Sequence, residues 1–425
     1  MTADQIRSLQ PALAALLQHF RPCFGRETTF GHWEKYLAGL MSDLKRKSIE
    51  PIALAAGVPV RTLQEFLAFL VWDEQRVTGL LHQLVADRHG SDEAIAVIDS
   101  SGHPKQGGKT PGVQRQWCGE RGKVENCVVG QHLLYTDNHP TNPFSCMLSS
   151  DVYLPKSWIQ DRDRCRAAHI PDDLAYRAKW EIALDQLAEA VGRGMRFSWV
   201  TFDEEYGRVP TFWFSLDALG LRAIGEVPKN FLCWPTRPAC CSLQGPHAAR
   251  RVDNVCGHSP LFTQQPWRRL KIKEVTRGPV VWEVKAARVH LVDKSEDGAG
   301  PGRPTDRQYW LIVARNPKTG EIKYFVSNAS AAVGLEKMMI AAFARWHVEK
   351  WFERAKQEAG LGAFEVRTYT SLMRHWICST LVMYFLADQT CRLRGEKSAD
   401  HPRTGGRRGQ HPGLENLEPL AALVG

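Results

Sequence analysis

Two uninterrupted apolar runs, each halted by an aspartate, constrain this chain more than any other feature. Ala94-Ile-Ala-Val-Ile98 is followed directly by Asp99, and Phe197-Ser-Trp-Val-Thr-Phe202 directly by Asp203. A short apolar run without polar alternation reads as a strand covered on both faces, so the sheet holding these runs needs a layer on each side. Further strands are expected over residues 124–135 and 144–153, after a Gly-, Lys- and Pro-rich loop over 100–112. An amphipathic helix over about 174–192 precedes the second run; a helix over 211–219 and a strand over 221–226 follow it. Strands in meander, then helix and strand in alternation, predict an α/β fold built on a mixed sheet with helices.

The flanking regions differ in pattern. Residues 1–90 carry apolar side chains at helical spacing, as in Leu13-Ala-Ala-Leu-Leu. Within them, residues 49–70 have helix-turn-helix spacing. A short helix ends at Gly57, and a second starts near Arg61, exposing Arg61 and Gln64 while burying Leu63, Phe66 and Leu67. Arg and Gln at such positions suit base edges in a major groove, although a plain helical hairpin has the same pattern. Residues 230–330 read as a β-rich insertion, with short runs such as Trp282-Glu-Val-Lys, Val289-His-Leu-Val and Trp310-Leu-Ile-Val-Ala between Pro- and Gly-rich loops. Helix resumes from about Gly334 to Arg394. The Gly-, Pro- and Arg-rich tail 395–425 is expected to be flexible. The expected parts are a helical region over 1–90, with a candidate DNA-binding helix-turn-helix, an α/β core over 91–229 and 331–394, the insertion over 230–330, and the tail.

Composition narrows the partners. The net charge of +9 favours a polyanion, with nucleic acid first. No apolar run is long enough for a membrane span, and the start lacks the pattern of a signal peptide. Eleven irregularly spaced cysteines suit free thiols in a reducing cytoplasm. Cys233, Cys240, Cys241, Cys256 and His258 match none of the tight pairs of structural zinc sites.

The chemistry lies in the acids. A carboxylate at the end of a buried strand is rigidly aimed, as a metal site requires, although an Asp that merely opens a turn stands there too. The third acid is on a helix. Ala341-Ala-Phe-Ala-Arg-Trp-His-Val-Glu-Lys-Trp-Phe-Glu-Arg-Ala-Lys reads as unbroken helix up to Gly360. At about 100° per residue, Arg345, Glu349, Phe352 and Lys356 share one face, so a carboxylate stands between two cations on an otherwise strongly apolar helix. Such a stripe calls for a metal or a phosphate. Three carboxylates suit two hard divalent ions, Mg²⁺ or Mn²⁺, held by Asp99, Asp203 and Glu349, with Arg345 and Lys356 on phosphate oxygens. Lys105, with Lys109, Arg115, Arg121 and Lys123, is expected to contact the DNA backbone near Asp99. Trp234, Trp267 and Trp282 suit either base stacking or the core of a small β-domain.

Three blocks resemble bacterial insertion-sequence transposases of the Asp-Asp-Glu (DDE) kind. They are Asp99-Ser-Ser-Gly-His-Pro-Lys with Gly112-Val-Gln-Arg-Gln-Trp-Cys, then Phe202-Asp-Glu-Glu-Tyr-Gly, then Arg345-x3-Glu349-x6-Lys356 with Arg374-His-Trp376. The chain departs from that pattern where relatives carry a Tyr three residues before the Arg; here Ala342 stands there. The resemblance covers about residues 20–390 and implies an RNase H-like core interrupted by a β-rich insertion. It also implies cleavage at element ends followed by strand transfer, with double-stranded DNA (terminal repeats and target) as partner and a dimer assembled on it. An endonuclease without strand transfer and a catalytically inactive DNA-binding relic are the alternatives.

Overall fold

The computed structural model describes residues 3–275, 278–294 and 300–399; of the tail expected over 395–425, residues 395–399 continue the last helix and the rest lie outside the described residues. The chain opens with α1 (Ala3–His19), α2 (Glu27–Met41), α3 (Ile49–Ala55), α4 (Val60–Ala68) and α5 (Glu74–His89). Gly57, at φ +63, turns α3 into α4. Leu63, Phe66 and Leu67 of α4 are buried, while Arg61 and Gln64 are exposed. The α5 N-terminus is capped by Asp73, whose carboxylate accepts from the Arg76 N–H at 2.8 Å.

The core follows as β1 (Ile95–Pro104), β2 (Gln114–Cys118), β3 (Lys123–Thr136), β4 (Ser145–Val152), α6 (Lys156–Gln160), α7 (Arg162–Ala167), α8 (Lys179–Gly192), β5 (Trp199–Phe202), α9 (Glu204–Gly207), α10 (Pro210–Ala218) and β6 (Ala223–Val227). β4, β3 and β1 form an antiparallel meander, and β5 and β6 join β1 in parallel. The order β4-β3-β1-β5-β6 is the RNase H-like arrangement. The first strand runs past its expected end. Asp99 lies inside β1 rather than after it, because β3 keeps pairing with β1 as far as Pro104, five residues beyond Asp99. Pairing with β5, in contrast, covers Ile95–Val97.

The insertion contains β7 (Leu232–Trp234), β8 (Arg250–Arg251), α11 (Val252–His258), α12 (Pro260–Thr263), β9 (Arg268–Val275), β10 (Gly278–Asp293), β11 (Arg303–Pro304), β12 (Tyr309–Arg315) and β13 (Ile322–Ser327). These strands continue the core sheet: β13 pairs with β6, and the order runs on through β12 and β10 to β7 and β8. The two short runs expected at 282–285 and 289–292 are one strand, β10, since backbone pairing passes without a gap from β9 to β12 to β7 along residues 278–291.

α13 (Leu335–Phe343), α14 (Trp346–Glu358) and α15 (Tyr369–Ala399) close the chain. The helix expected to run unbroken to Gly360 is interrupted at Ala344–Arg345. There the bonds tighten to i→i−3: the His347 N–H donates to the Ala344 carbonyl at 2.9 Å and the Val348 N–H to the Arg345 carbonyl at 3.0 Å. On either side of the break, Phe343 packs 4.9 Å, ring to ring, from both Trp282 and Trp346. α15 fastens the N-terminal helices to the core. The Arg374 guanidinium is buried, donating to Glu74 and to the Phe66 and Leu67 carbonyls at 3.2 and 3.1 Å. No helix among the described residues is long and apolar enough to cross a membrane. All eleven cysteines are free thiols.

Candidate active site

Parallel pairing sets Val97 of β1 opposite Thr201 of β5. Two residues on, Asp99 and Asp203 are therefore register-matched and on the same face, on neighbouring strand positions about 4.8 Å apart. Asp203 leaves β5 and caps α9, its carboxylate accepting from the Glu205 N–H at 2.9 Å. The Asp99 carboxylate accepts from the Ser100 N–H at 2.7 Å.

Arg345 connects this pair to the third acid. From the break before α14 its guanidinium donates to Asp99 Oδ2 at 3.2 Å and to Glu349 Oε1 at 2.9 Å. The exposures differ in a useful way: the side chain of Asp99 is 14% exposed and that of Arg345 19%, whereas Glu349 is 59% exposed. Asp99 and Arg345 are thus fixed within the protein, and Glu349 remains open to an incoming ligand. Burial pushes the Asp99 carboxyl well above its ordinary range, with Asp203 and Glu349 adding repulsion and Arg345 and the Ser100 N–H opposing. Burial also raises Asp203, reinforced by Glu205. For Arg345, burial works against the charge, but Asp99, Glu349 and Asp203 outweigh it and raise the pKa.

A second ring of ion pairs surrounds the acids. Lys179, at the start of α8, donates to Glu205 at 2.8 Å, and Ser100 Oγ donates to the same carboxylate at 3.4 Å. Glu204, the other neighbouring acid, pairs only loosely with Arg208, at 3.9 Å. Lys356 donates to Glu120 at 2.7 Å and to the Gly102 carbonyl at 3.3 Å. An open cleft of about 510 Å³ is lined by Asp99, Glu349, Phe352, Lys356 and Glu120 among others. Lys179 was missed in the sequence, where no local motif marks it, and Glu120 was given no role there although it closely follows the Gly112-Val-Gln-Arg-Gln-Trp-Cys block.

The other expected site residues lie elsewhere. Lys105 is half-buried, its ammonium bonded to the Gly362 and Phe364 carbonyls at 2.9 and 2.7 Å and lying 3.5 Å from the Phe364 ring centre. Burial lowers its pKa to about 8. Its bonding is that of a strut between the end of β1 and the α14–α15 link. Arg61 and Gln64 are on α4, outside the cleft, and Arg61 is ion-paired to Glu65 at 2.7 Å. Trp282 is buried in the core, as is Trp234, whereas Trp267 is half-buried between Lys285 and Arg315.

The carboxylates offer the oxygen donors of a hard divalent cation, and burial, followed by repulsion from neighbouring carboxylates, raises the pKa of Asp99 and of Asp203, a cost to ionisation that a nearby cation would offset. Among the described residues no group of three or more His, Cys, Asp or Glu side chains is already arranged to hold a metal ion. Here Arg345 bridges two of the three acids.

A probable transposase for insertion sequence element IS701 from Microchaete diplosiphon is 32% identical over 199 residues, spanning 46% of this chain and 48% of that protein. The chain thus matches about half the length of this relative. A family model described as DDE superfamily endonuclease matches residues 19–304, which takes in Asp99 and Asp203 and stops short of Glu349. With more than half its length matched in this way, the chain belongs to the DDE superfamily endonucleases.

Proposed function

We propose that the protein is a DNA transposase that cuts DNA at the ends of its element and joins the freed 3′-hydroxyl to target DNA at one site. The observation that carries this reading is the gathering of Asp99, Asp203 and Glu349 from β1, the end of β5 and α14 around the single guanidinium of Arg345. The similarity to a probable insertion-sequence transposase supports it. Asp99, Asp203 and Glu349 would hold Mg²⁺ or Mn²⁺, two ions in all, whose chemistry is to activate a water or 3′-hydroxyl and to stabilise the leaving oxygen.

The remaining work falls to the chain itself. Arg345 holds Asp99 and Glu349 in place through one planar fork, and its charge is suited to a phosphate oxygen once those acids have another counter-charge. Lys356 faces the same cleft and would take a phosphate oxygen in exchange for Glu120. Lys179 anchors Glu205, keeping that carboxylate from competing for the ligand role of Asp203. Arg61 and Gln64, exposed on α4, would read the terminal repeats, and two copies of the chain would bring two ends together.

The test is metal-dependent cleavage of duplexes carrying the element's own ends, comparing the wild type with Glu349→Gln, which removes the charge and keeps the shape. The expected result is that the variant binds but does not cut. Equal cutting by both would remove Glu349 from the site. Strand transfer is then read with pre-cut ends, where cleavage without joining would leave an endonuclease.

A further inference from the structure

Beyond the cleft, β1 leads into a second groove of about 1030 Å³, walled by the α2–α3 link, the β1–β2 loop and the α14–α15 link. Its charged lining is Lys45, Arg46, Lys105, Lys109 and Arg367 against one acid, Glu365. Lys105 is committed to carbonyls and Arg46 to Glu365, so Lys45, Lys109 and Arg367 supply the surplus; all three are exposed.

The groove is built rather than incidental. Asn126 Nδ2 donates to the Lys105 and Gly107 carbonyls at 2.8 Å each, and Arg164 donates to the Gly108 carbonyl at 3.1 Å. The loop is therefore pinned from two sides, while Lys105 fixes the opposite wall. At Gly107, with φ +79, and at Gly108, an added Cβ would meet nothing within 4 Å, so the loop offers bare backbone that a bulky polyanion can approach closely.

We propose that this groove seats the phosphodiester backbone of duplex DNA flanking the cut, through Lys45, Lys109 and Arg367. The inference rests on the reading that the protein acts on DNA, and it adds a position. From Asp99 to Pro104 the strand advances five residues. At about 3.3 Å each, this is roughly 17 Å, or about five base pairs of B-form DNA. The groove thus holds the duplex about half a helical turn from the scissile phosphate, without reading sequence.

The experiment uses the full chain and a random-sequence 40-base-pair duplex in EDTA, so that neither the element's ends nor cleavage is needed. Affinity is measured across a salt series for the wild type, for the triple variant Lys45→Ala/Lys109→Ala/Arg367→Ala, and for a charge-matched control, Lys35→Ala/Arg196→Ala/Lys318→Ala, with unfolding midpoints confirming that all are folded. Each phosphate contact removed takes about 0.9 from the slope of log K against log salt. The triple variant is therefore expected to lose between two and three units of slope, and the control markedly less. An unchanged slope, or an equal loss in the control, overturns the proposal. Lys109→Glu alone should weaken binding more than Lys109→Ala; equal binding counts against it. If the slopes behave as expected while no metal-dependent cleavage is found, the groove stands and the transposase reading fails; the reverse pattern separates them in the other direction.

Discussion

Gly225 offers a direct test of how packing aims the acids. It lies on β6 opposite Phe202 of β5, and a Cβ built on it would be 2.1 Å from the Phe202 ring. That ring cannot withdraw easily: Phe212 and Trp213 lie 4.9 and 5.0 Å away, centre to centre, and Phe202 itself is 1% exposed. Gly225→Ala is thus an overpacking substitution, a class that costs about 1–3 kcal/mol, and the aromatic surroundings place it at the upper end. With an m-value of about 3 kcal/mol/M, a loss of about 2 to 3 kcal/mol lowers the urea midpoint by roughly 0.7 to 1 M. Because Phe202 immediately precedes Asp203, the same displacement should reach the site. A shift of about 1 Å in a catalytic group can cost on the order of 100-fold in rate, so metal-dependent cleavage should fall well below unfolding conditions. The double variant Phe202→Leu/Gly225→Ala makes room for the new methyl and should be more stable than the sum of the single losses by about 1–2 kcal/mol. Strictly additive losses, or a Gly225→Ala protein as stable and active as the wild type, would falsify the link from this contact to Asp203.

Two further outcomes follow from the core and the site. His375 is fully buried and neutral, its Nε2 donating to the Gly360 carbonyl at 2.9 Å while Nδ1 accepts from the Tyr36 hydroxyl at 2.7 Å, and burial lowers its pKa to about 4. Its contribution is therefore fully present above about pH 6.5 and is lost as the pH falls toward 4, by about 3 kcal/mol in all. Urea denaturation of His375→Gln at pH 7.5, 6 and 5 should show a flatter dependence than the wild type, and parallel curves would count against the assignment. At the site, Mg²⁺ or Mn²⁺ at a hundredfold excess over its dissociation constant should stabilise the wild type by about 2.7 kcal/mol. Asp99→Asn should lose most of that increment in a thermal-shift series, and an undiminished increment would place the metal elsewhere.

What the sequence made legible followed from burial. The runs ending at Asp99 and Asp203 stand out because strands covered on both faces carry no polar alternation, and their shared register then brings the two acids together. β2 escaped notice because its Gln-Arg-Gln-Trp-Cys is largely polar, held by ladder bonds to β3 rather than by an apolar face. The break before α14 was illegible for a different reason. Ala344 and Arg345 keep helical dihedrals, and nothing in their identity signals that the hydrogen bonds tighten there. The carbonyl partners of Lys105 were likewise invisible, since they stand 257 and 259 residues further along the chain.

That break matters because it sets what Arg345 can do. On a straight helix, Arg345 and Glu349 would be an ordinary surface pair at i,i+4 spacing, worth a few tenths of a kcal/mol. Placed at the tightened turn, the guanidinium instead reaches across to β1 and bonds Asp99 while keeping Glu349. The cations bonded around the acids are then already engaged: Arg345 with Asp99 and Glu349, Lys179 with Glu205, Lys356 with Glu120. Asp203 has no such ion pair among the described residues, and burial and its neighbour Glu205 raise its pKa. On the proposed reading, a phosphate entering alone would meet repulsion from the ionised acids, and a cation entering alone would compete with Arg345 for the Asp99 and Glu349 oxygens. If the acids hold a cation as proposed, its arrival together with a phosphate would resolve both conflicts, since Arg345 and Lys356 would be freed from the carboxylates to meet phosphate oxygens. On the proposed function, the charged site would therefore assemble most readily when DNA is present.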